Sequence, residues 1–123
     1  MRVLIVDDEA DILSLVELAL EVEDDIDATY ESSGALASER ITSEEFDLYV
    51  LDWMMPPPDG RQLLSLIRSS PDRQSKPVVI CTARTGKEAI DYIKEAGATK
   101  VIEKPFSPLS LADILRGMMG SAL

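Results

Sequence analysis

Histidine is missing from all 123 residues, and cysteine occurs once. Without an imidazole there is no Ser-His or Cys-His nucleophile pair, no histidine acid–base chemistry and none of the usual zinc ligand sets. A lone Cys81 closes no internal disulfide, and its place in an apolar run reads as a small buried core residue. Positive charge is scarce as well: 12 Lys and Arg stand against 23 Asp and Glu, a formal charge of −11. Such a field repels nucleic acid and anionic membrane, so no direct binding to either is expected, while divalent metal ions are attracted. No apolar run is long enough to span a bilayer, and the charged DDEAD arrives too early for a signal peptide. Walker-type and dinucleotide glycine loops are also absent. These absences together fit a cytoplasmic protein.

What remains is the composition of one globular domain, 46% hydrophobic and 28% charged, with enough chain for a hydrophobic core. Apolar runs alternate with stretches of helical period. RVLIV (Arg2 to Val6), DLYVLD (ending at Asp52) and PVVICT (ending at Thr82) lack polar alternation and read as strands buried on both faces. DATYES reads as a mixed edge strand and KVIEK as a last short one. Between them, ADILSLVELALEVE predicts a helix with Ile12, Leu15, Val16 and Ala19 on its stripe, and GALASERITSEE a short one through Leu36, Arg40 and Ile41. GRQLLSLIRSS carries Leu63, Leu64 and Ile67, and Asp59 is placed to cap it. GKEAIDYIKEAG carries Ala89, Ile90 and Ile93 and stops at Gly97. SLADILRGMM carries Leu111, Ile114, Leu115 and Met118.

Five strands alternating with helices predict an α/β fold, a doubly wound, flavodoxin-like parallel sheet in the order 2-1-3-4-5 with helices on both faces. The strand order reverses between the first and third strands, so the functional crevice is expected at their carboxyl ends. Asp7 and Asp8 stand at one of those ends and Asp52 at the other. Thr82 ends the fourth strand, and Lys104 comes just after the fifth. Taken singly, each has a plainer use: helix caps for Asp7 and Asp8, a strand end for Asp52, a β-branched strand residue for Thr82, solvated surface for Lys104. Their coincidence on one edge of one sheet argues for a site.

The motifs VDDE, LDWMMPPPDG, CTA and EKPF, in this order and at these strand ends, resemble the receiver domain of two-component response regulators. The resemblance spans essentially the whole chain. It implies that Asp52 accepts a phosphoryl group, with Thr82 and Lys104 contacting it, and that Mg2+ is the cofactor. Asp8 and Asp52 would ligate the metal directly, Asp7 through water, and the Met54 backbone carbonyl would complete the protein ligands. The donor would be a sensor histidine kinase or a histidine phosphotransfer protein, because this chain has no histidine of its own. The output would be altered binding of a downstream protein target through the face formed by helix 4, strand 5 and helix 5. Physically, carboxylates about 4 Å apart at an effective dielectric near 20 repel by roughly 4 kcal/mol, so three of them call for a cation.

Two positions depart from the family pattern. Val101 stands where the family's switch aromatic is usual, and Pro58 where a Met is common. Met54 and Arg84 occupy the two variable positions that tune phosphoryl lifetime in the family. Lys104-Pro105 matches a family cis peptide. A phosphatase with an aspartate nucleophile would need a second acid two residues beyond it, but Met54 stands there. A flavin module would need a Ser/Thr/Gly-rich loop after the first strand, and that loop is acidic. The chain is therefore read as one receiver domain over residues 1–123 with no output domain, not an enzyme beyond chemistry on its own aspartate.

Overall fold

A computed structural model describes residues 1–84 and 86–120. Along the chain it forms β1 (Arg2–Val6), α1 (Ala10–Leu20), β2 (Asp27–Glu31), α2 (Gly34–Ser43), β3 (Leu48–Asp52), α3 (Gly60–Arg68), β4 (Val78–Thr82), α4 (Lys87–Glu95), β5 (Lys100–Glu103) and α5 (Leu111–Gly120). A short 3-10 turn, Pro108–Ser110, leads into α5. All pairings are parallel and the sheet runs β2-β1-β3-β4-β5, the order expected from the alternation of apolar runs and helices. The mixed strand β2 lies at an edge, where only one side needs covering.

Because successive side chains point to opposite faces, each central strand supplies two cores. Leu4, Val6, Tyr49, Leu51 and Ile80 pack with Ala37 and Ile41 of α2, Leu63, Leu64 and Ile67 of α3, and Ile93 of α4. Val3, Ile5, Leu48, Val50, Val79 and Cys81 pack with Leu13, Val16 and Leu20 of α1 and with Leu111, Ala112 and Leu115 of α5. This double burial is why β1, β3 and β4 carry no polar alternation. Burial pushes the Cys81 thiol up to about 12, as befits a core residue.

Several helical stripes differ from the sequence expectation. α1 buries Leu13, Val16 and Leu20, while Leu15 is 55% exposed, and the helix ends at Leu20 rather than Glu23. α2 turns Ala37 and Ile41 inward and leaves Leu36 at the surface. On α4 only Ile93 is fully buried. On α1 the cause is an excess of apolar residues over what one helix stripe can bury, so periodicity alone selects the wrong members. α3 is as expected: Asp59 accepts from the Gln62 N–H at 3.0 Å, and the Gln62 side chain accepts from the Asp59 N–H at 2.8 Å. That reciprocal cap fixes where the helix begins.

Among the described residues no helix is long and apolar enough to cross a membrane.

Candidate functional site

Strand register brings the acidic residues together. Val6 pairs with Leu51, so the next residues, Asp7 and Asp52, leave the sheet side by side. Asp52 in turn faces Cys81, and Thr82 faces Glu103, which sets Thr82 and Lys104 around the same edge. Asp7 and Asp52 are each 4% exposed and Thr82 is fully buried, whereas Asp8 faces solvent. One carboxylate oxygen from each of Asp7, Asp8 and Asp52 lies within 4.8 Å of the others.

The loop after β3 closes back over the strand that carries Asp52. A Cβ at Gly60 would stand 2.3 Å from the Asp52 carbonyl oxygen and 2.7 Å from the Trp53 Cα, so only glycine admits this approach. The proline run leans on the neighbouring helix in the same way: a Cβ at Gly34, the first residue of α2, would meet the Pro58 carbonyl oxygen at 2.0 Å. Both Pro57-Pro58 and Lys104-Pro105 are cis, the second as the motif led one to expect.

Lys104 is the internal counter-charge. Its Nζ donates to Asp7 Oδ2 at 2.9 Å and lies 3.3 Å from Asp52 Oδ1. Burial opposes the ammonium's charge, but the bond to Asp7 and the charges of Asp7 and Asp52 outweigh it and raise its pKa. Burial, reinforced by the Asp7 charge, raises the Asp52 carboxyl to about 6 despite Lys104. Asp52 is therefore mostly ionised at neutral pH.

Sequence alone did not single out Glu9, whose Oε1 comes within 3.6 Å of Lys104 Nζ. Nor is Asp7 or Asp8 the helix cap: that position belongs to Glu9, whose side chain makes no capping bond, and Asp7 Oδ1 instead accepts from the Glu9 N–H at 2.9 Å. Only the local turn reveals these roles. Thr82 Oγ1 accepts from the Arg84 N–H at 3.0 Å, which holds the hydroxyl at the strand end. Trp53, buried next to Asp52, meets Tyr92 of α4 edge to face at 6.4 Å between centroids. Arg84 and Met54 both reach the surface, Met54 at 56% exposure. Val101 packs against the core beneath α4 without a ring.

The donor set suits a hard divalent cation. Ligands of an octahedral ion with bonds of about 2.1 Å lie about 3 to 4.2 Å apart, and the three carboxylates bring one oxygen each within 4.8 Å of the others. The acidic cluster can therefore hold such an ion.

Residues 3–116 match the family model described as the response regulator receiver domain. The phosphate regulon transcriptional regulatory protein PhoB of Klebsiella pneumoniae is 33% identical over 118 residues, covering 96% of this chain but only 51% of that protein. The chain thus spans about half the length of that relative. Chemotaxis protein CheY-3 of Vibrio cholerae is 31% identical over 115 residues, covering 94% of this chain and 88% of the relative. The solved receiver domain of the Francisella response regulator 1452 superposes with a TM-score of 0.88 at 30% identity, over 99% of this chain and 98% of that one.

Proposed function

We propose that this chain, which belongs to the response regulator receiver family, is a switch set by phosphorylation of Asp52. The observation that carries the reading is the buried Asp52 carboxylate, 3.3 Å from the Lys104 ammonium that also binds Asp7, at the point where the strand order reverses. In this reading an Asp52 oxygen attacks the phosphorus of the donor. The new O–P bond forms as the bond from phosphorus to the leaving group breaks, a P–N bond for a phosphohistidine or a P–O bond for an acyl phosphate. Lys104 shifts its ammonium onto the phosphoryl oxygens. The Thr82 hydroxyl leaves the Arg84 N–H and donates to one of those oxygens. Asp8, Asp52 and the Met54 carbonyl would hold Mg2+, with Asp7 acting through water, and the ion when bound neutralises charge on the carboxylates and the incoming phosphoryl group.

The chemistry asked of the protein is position and charge, so the chain acts on its own Asp52 and on no external substrate. The phosphoryl group adds about −1.5 to −2 charges, and the resulting shift of the β4–α4 and β5 loops biases the α4–β5–α5 face between two partner preferences. The donor is a histidine kinase or phosphotransfer protein and the reader a downstream protein, both in the cytoplasm. Incubation with acetyl phosphate and Mg2+ should add the mass of one phosphoryl group to the wild type and none to Asp52→Asn, with EDTA suppressing uptake. Equal uptake by Asp52→Asn, or none by the wild type, would overturn the reading.

A further inference from the structure

At the opposite, amino-terminal end of the sheet lies a cavity of about 310 Å³, close to the lower end of the range of about 300–1,000 Å³ typical of small-ligand sites. Tyr49 of β3 reaches it. Its hydroxyl is fully buried and, among the described residues, is the buried side-chain oxygen or nitrogen left without a hydrogen-bond partner. Burial raises the pKa of this phenol, and the adjacent Arg73 guanidinium, through its charge and its close approach to the hydroxyl, offsets part of that rise. A buried hydroxyl left unbonded costs about 1–3 kcal/mol, so such groups normally meet water or a ligand.

The charges around the cavity are of both signs. Among the described residues Arg73 donates to two neutral oxygens, Ser70 Oγ at 2.6 Å and the Thr42 carbonyl at 3.1 Å, and pairs with no carboxylate. Lys76 also lines the cavity, and its ammonium makes no ion pair or hydrogen bond among the described residues. The same holds for the carboxylates of Glu45 and Asp72. Arg2 and Asp47, by contrast, are engaged. Asp47 Oδ2 accepts the Arg2 N–H at 2.7 Å, and the Arg2 guanidinium pairs with Glu44 while stacking on the Phe46 ring at 4.8 Å. Two cations and two anions that make no ion pair among the described residues surround one buried hydroxyl. A lone anion would meet Glu45, Asp72 and the overall charge of −11; a lone cation would meet Arg73 and Lys76.

We propose that this cavity binds a small zwitterion of the amino-acid class, its carboxylate accepting from Tyr49, Arg73 and Lys76 and its ammonium facing Glu45 and Asp72. Reaching the hydroxyl requires the partly exposed Arg73 head to turn from its two neutral acceptors toward the ligand carboxylate, exchanging neutral bonds for charge-assisted ones. The site is independent of Asp52 and needs no metal.

The test is an amide-shift titration of the isotopically labelled 123-residue chain in EDTA, with glycine, alanine and proline as zwitterions and with acetate, methylammonium and inorganic phosphate separately. Saturable shifts at Phe46, Tyr49, Arg73 and Lys76 with a zwitterion, and about tenfold weaker binding of acetate and of methylammonium, are expected. Tyr49→Phe, which keeps the ring and removes only the oxygen, should weaken that binding about tenfold while still accepting phosphate from acetyl phosphate. Three results would overturn the proposal. One is no saturable shift with any of the zwitterions, which leaves water as the occupant. Another is acetate or phosphate binding as well as the zwitterions, which makes the site a plain anion site. The last is unchanged affinity in Tyr49→Phe.

Discussion

The two ends of one sheet handle charge in opposite ways. At the carboxyl end Asp7, Asp52 and Lys104 are pulled out of water and pressed together, with Lys104 only 11% exposed. At the amino end Arg2 and Asp27 approach at 3.9 Å, but both side chains remain well exposed, at 43% and 77%. β1 serves both sets, with Arg2 at its start and Asp7 just past its end, so the difference lies in what covers each end. Behind the amino end the chain returns through exposed loops. At the carboxyl end the β3–α3 loop folds down over Asp52 through Gly60, and Asp52 is left 4% exposed. Charge is thus energetically expensive at one end and nearly neutral at the other, and this contrast can be tested by removing one charge at a time.

The largest effect should come from Lys104→Ala. Removing one partner of a buried ion pair costs about 3–5 kcal/mol, because the carboxylates left behind have neither water nor a counter-ion. Near 4 kcal/mol of destabilisation in urea unfolding with EDTA at neutral pH is expected, and added Mg2+ should restore part of it. A loss below about 1 kcal/mol would place Lys104 in the same class as an exposed pair.

Asp52→Asn should act in the opposite direction. The folded carboxyl sits at about 6 against an ordinary value of 3.8, so the folded state holds this proton more tightly than the unfolded state does. The metal-free wild type therefore loses stability as pH rises through the window between those values, in total about 3 kcal/mol at about 1.4 kcal/mol per pH unit. Asn removes that slope. The variant should be more stable than the wild type at neutral pH, and the gap should close as pH falls toward 4. A gap independent of pH would mean that the cost of burying a charged Asp52, reinforced by Asp7, is not its source.

A smaller, kinetic effect is expected where Met54 and Arg84 reach the surface beside Asp52. Both are exposed at the mouth of the crevice, and they can screen a phosphoryl group there from water. Phosphorylated wild type should decay several-fold more slowly than the variant carrying Met54→Asn and Arg84→Glu, as read by loss of phosphate after donor removal. Equal lifetimes would exclude a screening role.

The contrast also explains what the sequence could disclose. β1, β3 and β4 were legible because burial on both faces leaves no room for polar residues, and strand-end position then located Asp7, Asp52, Thr82 and Lys104. The exposure of Leu15, Leu18 and Leu36 was not legible, since an apolar residue on a helix declares its face only once the neighbouring elements are in place. Glu9 escaped because its approach to Lys104 depends on the turn that Asp7 holds. Tyr49 escaped for a related reason: it sits in a strand that reads as uniformly apolar, and nothing in DLYVLD signals that its hydroxyl ends beside Arg73, which belongs to the segment beyond α3.

The smallest effect belongs to the amino end. Asp27→Asn removes one carboxylate from an ion pair whose members keep most of their hydration, and exposed pairs contribute about 0–1 kcal/mol before salt screening. The longer approach of 3.9 Å and the second partner available to Arg2, Glu44 at 3.0 Å, put this one at the low end. A change within about 0.5 kcal/mol is expected, shrinking as salt is added, in the same urea assay that reads Lys104→Ala. Were Asp27→Asn to cost as much as the buried lysine, exposure would not be what separates the two ends. The charges at the amino end would then belong to a network held as tightly as the one around Asp52.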